Sequence, residues 1–123
     1  MRHDDLRIRS KQFALAAMDI TDLLPNKPKA WVVSRQLLRS ATSVAANYRA
    51  AGRSRSKAEF IAKLGVVVEE ADETVFWLEM IQESHLLNSA RLQPLIAEAN
   101  ELLRIFSASY QTSRANRSSE SQK

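Results

Sequence analysis

A chain of 123 residues, 45% of them hydrophobic, carries enough apolar material for one packed core and too little for two domains. It has no cysteine, which excludes a disulfide framework and a thiolate metal site, and "MRHDDLRIRS" at the N-terminus lacks the apolar run of a signal peptide, so a cytoplasmic location is expected. The net charge of +4 hides a segregation: Leu23 to Ala58 contains eight basic residues and no acidic one, whereas Glu59 to Glu83 carries seven acids against the single Lys63.

Two glycines and three prolines leave few places to turn, which favours a few long helices. The first is predicted over residues 5–24, where Leu6, Phe13, Ala17, Ile20 and Leu24 recur at helical spacing and Pro25 stops the run. The loop "PNKPK" follows, then a second helix over residues 30–51. On it Leu37, Leu38, Ala41, Val44, Ala45 and Tyr48 share one arc, while Arg35, Arg39, Arg49 and Arg53 fall on the opposite side.

Gly52 is a helix stop, and Ser56 with Glu59 three residues later has capping-box spacing, opening a third helix over residues 56–87. Its stripe of Phe60, Leu64, Val67, Ala71, Thr74 and Leu78 faces a core. Val66, Val75, Phe76, Trp77, Met80 and Ile81 add more apolar surface than a single bundle hides. Glu69, Glu70, Asp72 and Glu73 interrupt this run well short of the roughly 18 apolar residues a membrane span needs, so no membrane partner is expected.

Asn88 or Ser89 caps a fourth helix over residues 89–112, whose apolar face includes Leu92, Leu95, Ala99, Leu102, Phe106 and Tyr110. Pro94 either sits in its first turn or delays its start. The tail "SRANRSSESQK", residues 113–123, has no apolar stripe and reads as disordered. The fold class is all-α: an antiparallel up-and-down four-helix bundle over residues 1–112.

Three stretches in order, "LPNKPKAWVVSRQLLRSATSVAANYRAAGRSRSKAEFIAKL", "EEADETVFWLEMI" and "EANELLRIFSASYQT", resemble the bacterial family of four-helix-bundle proteins encoded in 23S rRNA intervening sequences. The centre of the likeness is Arg39, Ser40, Thr42, Ser43, Ala46, Asn47, Tyr48, Ser56, Lys57 and Phe60; Ala45 stands where the family often has Gly. The resemblance implies a bundle assembling as a ring-shaped homopentamer with no established catalytic activity. It also implies a distant similarity to the accessory proteins of diversity-generating retroelements, basic pentamers that bind nucleic acid and a reverse transcriptase, although the motifs here match the intervening-sequence branch.

The candidate nucleic-acid-binding residues are Arg35, Arg39, Arg49 and Arg53, extended by Arg55 and Lys57, since clustered cations give salt-dependent affinity for RNA or DNA phosphates. The competing reading spends these arginines on the acidic third helix, within the chain or across a subunit contact, and leaves the protein a scaffold for another protein. For Arg39 the structural role is favoured, with Glu73 as its mate. Ser43 and Asn47, one turn apart, read as hydrogen-bonding across a helix interface. Val66, Trp77, Met80 and Ile81 read as subunit interface, giving a homo-oligomer as the expected partner.

No cofactor or metal is expected. A carboxylate-bundle metal site needs Glu-x-x-His pairs, and Gln82 stands three residues before His85, the other histidine being His3. With no Gly-rich phosphate loop, no cysteine nucleophile and no partner for either histidine, an enzyme is not expected.

Overall fold

The computed structural model describes residues 3–121 and forms four helices: α1 (His3–Thr21), α2 (Pro28–Ala51), α3 (Lys57–Glu83) and α4 (Ser89–Ser121). Each packs on its neighbours in the chain, and α1 closes the ring against α4, which is the up-and-down arrangement that short joints impose. Among the described residues there is no strand, and no helix is long and apolar enough to cross a membrane.

The helix ends follow local chemistry, and they differ from the sequence reading by a few residues. α1 stops at Thr21, not at residue 24, because Asp22, Leu23 and Leu24 tighten into three-residue turns ahead of Pro25. α2 begins at Pro28, two residues early, because a proline fits the first helical position without losing a hydrogen bond. Ser56 caps α3 by accepting the Glu59 amide at 3.1 Å.

α3 ends at Glu83 and not at residue 87. His85 adopts φ 56°, the Leu86 amide donates to the Ile81 carbonyl, and the His85 amide donates to the Gln82 carbonyl. Those two bonds make a Schellman cap with histidine where glycine is the usual occupant, sealed by the buried Leu86. Asn88 then caps α4 through Oδ1 to the Ala90 amide. Pro94 lies inside α4, past its first turn, and leaves the helix start unmoved.

α4 continues to Ser121, where the sequence suggests a disordered tail from residue 113. No proline or glycine interrupts residues 113–121, extending a formed helix costs little, and the Arg114 guanidinium sits 5.4 Å over the Tyr110 ring. Residues 122 and 123 of the expected tail lie outside the described residues.

The core runs the length of the bundle through Leu37, Leu64, Leu78, Leu92, Leu102 and Phe106, all essentially without solvent contact. Each such side chain contributes about 1.5–3 kcal/mol. The buried hydroxyls of Ser10, Ser40 and Thr74 donate back to carbonyls of their own helices, so none is left unsatisfied. The α1–α4 seam is held by Arg9, whose Nε and Nη2 each donate to Glu98 at 2.7 Å.

Candidate nucleic-acid interface

The outward face of α2 carries arginines with two different fates. Arg39, in the middle, reaches across to α3: its Nη1 lies 3.2 Å from Glu70 and its Nη2 2.6 Å from Glu73. The hydrogen bond to Glu73, then that to Glu70, raises the Arg39 pKa. In return Arg39, helped by the Trp77 indole N–H, holds the Glu73 carboxyl below the usual glutamate range. Arg39 is therefore an interhelical tie, matched to the carboxylate that the sequence suggested.

The side chains of Arg49, Arg53 and Arg55 make no hydrogen bond or ion pair among the described residues, and all three residues are exposed. They come together because α2 ends just beyond Arg49 and the chain turns through the residues before Ser56. Arg49 remains on the last turn of α2, where a cation also complements the helix dipole. Arg53 stands past the end of α2 and so escapes the helical phasing that grouped it with Arg35.

With Lys63 and Glu59 of α3, these arginines line a shallow groove of about 600 Å³. Ala46 and Ala50 complete its lining, and their small side chains leave the room between the cations. Four cations against one carboxylate make the groove a strongly positive concavity. Arg35 stays outside it, 14 residues or about 21 Å along the helix from Arg49. Lys57 also lies elsewhere, lining an adjoining pocket between α3 and α4 with Phe60, Ile61 and Arg117.

Glu59 and Lys63 were not singled out as site residues by the sequence reading. Their spacing of four residues puts them on one side of α3, beside the alanines that end α2, and that pairing was the available signal.

Gly52 matters at the same corner for a reason other than turning. Its backbone is right-handed, φ −65°, but a Cβ there would overlap the His3 imidazole. His3 stacks on Tyr48 at 4.3 Å with the rings 20° apart. Tyr48 lies beneath the end of α2, and burial pushes its phenol up to about 12.

Two of the other sequence assignments change. Asn47 donates to the Ser43 carbonyl and to its hydroxyl, each at 2.9 Å, so both bonds stay within α2 and do not cross to a neighbouring helix. A four-residue spacing on one helix satisfies the pair locally, before another helix is needed. Ile81 is fully buried in the subunit's own core, about one turn beyond Leu78 on the same buried side of α3; it is no surface residue.

Val66 and Met80 are exposed, as is Phe76, and Trp77 is half-buried with Phe76 edge-on at 4.9 Å. This apolar surface shares α3 with the Arg39 tie. Among the described residues no three His, Asp or Glu side chains are grouped to hold a metal ion.

A roomier groove of about 670 Å³ follows the α1–α4 seam, over Phe13, Ile20, Leu23 and Leu95. Its charges are mixed: Arg9 is committed to Glu98, and Asp19 and Asp22 face the same space as Arg91. It lacks the one-signed lining that a polyanion requires.

The family model for the 23S rRNA-intervening sequence protein matches residues 4–108. A protein of unknown function from the S23 ribosomal protein family of Bacteroides thetaiotaomicron, known from its crystal structure, is 30% identical, with a TM-score of 0.82 over 90% of this chain and 99% of that one. Nothing among the curated proteins matches the chain. The bundle, the order of its motifs and the extent of the match agree, and the chain belongs to the 23S rRNA-intervening sequence protein family.

Proposed function

We propose that this protein is a non-enzymatic, homo-oligomeric accessory protein that binds nucleic-acid phosphates through the groove at the α2–α3 joint. The observation that supports this reading is the division among the arginines. Glu70 and Glu73 neutralise Arg39, whereas Arg49, Arg53 and Arg55 converge with Lys63 around a single carboxylate. Unneutralised cations on one concave surface supply the counterion-release affinity typical of phosphate binding. The family's name and that of the Bacteroides relative make RNA the first probe.

Assembly multiplies such a groove. The exposed Val66, Phe76 and Met80 on α3 form the candidate subunit contact, and the homopentamer implied by the family resemblance would present five grooves to one polymer. A protein scaffold is the second reading, favoured by Trp31 and Val32, which are more than half exposed near the start of α2.

Binding of labelled RNA and DNA across a salt series separates the two. The proposal expects measurable affinity at low salt that falls steeply as salt rises, and a large loss in the triple variant Arg49→Gln, Arg53→Gln, Arg55→Gln with unchanged helicity and mass. A wild-type protein that binds no nucleic acid at low salt would leave the scaffold reading in its place.

A further inference from the structure

We infer that the nucleic acid taken by this groove is double-stranded, an inference that rests on the phosphate-binding reading above. The groove is lined by Arg49, Arg53, Arg55, Lys63, Glu59 and two alanines, with no aromatic ring among them. Proteins that hold single strands combine backbone cations with rings on which bases stack, at about 1–3 kcal/mol per base. Here that second component is missing from the place where the phosphates bind.

None of the rings nearest this end of the bundle lies in the groove. Tyr48 is buried and covered by His3; Tyr110 carries Arg114 on its ring and lies close against the α3 backbone at Gly65; Phe60 is half-buried against the core and lines the adjoining pocket, not the groove. The exposed rings belong to the far end. Trp31 precedes Arg49 by 18 residues of α2, about 27 Å, and Phe76 follows Glu59 by 17 residues of α3, about 26 Å. Phe76 and Trp77 also share α3 with the exposed Glu69, Asp72 and Glu79, which repel a phosphate chain brought towards them.

A strand held by its phosphates therefore finds no ring in the groove on which to stack a base, and charge density decides the preferred form. A duplex presents one charge per about 1.7 Å of axis, denser than a flexible single strand, and needs no stacking partner because its bases are already stacked. The groove reads backbone, and a duplex offers the most backbone per unit length.

The test compares a duplex of roughly 20 base pairs with each of its separated strands, as RNA and as DNA, between 50 mM and 200 mM salt. The expected result is duplex affinity at least about tenfold above either strand, with the preference lost in the Arg49, Arg53 and Arg55 triple variant and kept in Trp31→Ala. Equal or tighter binding of a single strand, or single-strand binding that weakens in Trp31→Ala, would overturn the inference while leaving phosphate binding intact. Failure of both forms to bind would overturn the phosphate-binding reading as well, and the two failures are distinct.

Discussion

The middle of α2 and its C-terminal end present arginines in the same outward direction, yet only the middle meets acids. Arg39 lies opposite the Glu70 and Glu73 turn of α3, because the antiparallel packing brings the centres of the two helices side by side. Ten residues further on, Arg49 lies opposite the first turns of α3, where Glu59 is the acid and Lys63 answers it. The difference shows that charge counts over whole segments mislead. The basic block and the acidic block nearly cancel in number, but the helix register neutralises Arg39 and leaves Arg35, Arg49, Arg53 and Arg55 without a carboxylate partner among the described residues.

Packing beneath the two regions gives the largest handle on that contrast. Leu37 is fully buried under the paired middle, and Leu37→Ala is expected to lower unfolding free energy by about 2–5 kcal/mol in urea denaturation. Native variant protein at low denaturant should still bind nucleic acid, because the groove lies elsewhere.

The next effect belongs to the end of α2. Tyr48 has its phenol pushed up to about 12, so the folded state favours the neutral form. Stability from this group is complete below the ordinary tyrosine value near 10 and is lost as pH rises towards 12, at roughly 1.4 kcal/mol for each pH unit climbed between those values. Thermal unfolding followed from pH 9 to pH 12 should show that decline in the wild type, and Tyr48→Phe should remove this component.

A smaller effect is expected at the tie itself. Arg39→Gln should cost no more than about 1 kcal/mol, since the pair is largely exposed. Glu73 is held below the usual glutamate range by Arg39, so its contribution is present above that range and is lost as pH falls through the lowered folded value. Chemical denaturation at pH 7 and at acid pH should therefore show the variant's deficit at neutral pH shrinking in acid. A deficit independent of pH would assign Arg39 a packing role.

The smallest change sharpens the groove. Glu59→Gln removes its one carboxylate and should tighten nucleic-acid binding by about two- to fivefold at low salt, an effect that fades as salt screens the charges. Direct titration of the variant beside the wild type would measure it.

The four helices were legible because each carries a core stripe at helical spacing and stands between strong stop signals: Pro25, Gly52 with Ser56, and Asn88. The end of α3 was less legible, since the sequence places a histidine and not a glycine at the left-handed position of its cap. The tail carries no apolar stripe, so its helical continuation past residue 112 had no periodic signal.

For the groove, the arginines were visible and its limits were not. Phasing grouped Arg35 and Arg53 with Arg49, whereas the end of α2 at Ala51 detaches Arg53 from the helix and Arg35 lies too far along it. Lys63 and Glu59 belong to the next helix, and their part emerges only when the joint folds α3 back beside Ala46 and Ala50. Ile81 misled for a related reason: on a helix apolar nearly all round, composition does not mark which residues face the subunit's own core.

In the proposed complex Arg49, Arg53 and Arg55 contact phosphate while Arg39 does not. That division is tested most directly by the slope of log affinity against log salt for the wild type, the triple Arg→Gln variant and Arg39→Gln. The expected slope falls by about 0.9 for each groove arginine that meets a duplex phosphate, with the Arg39→Gln slope equal to that of the wild type. An unchanged slope in the triple variant, or a reduced one in Arg39→Gln, would contradict that division.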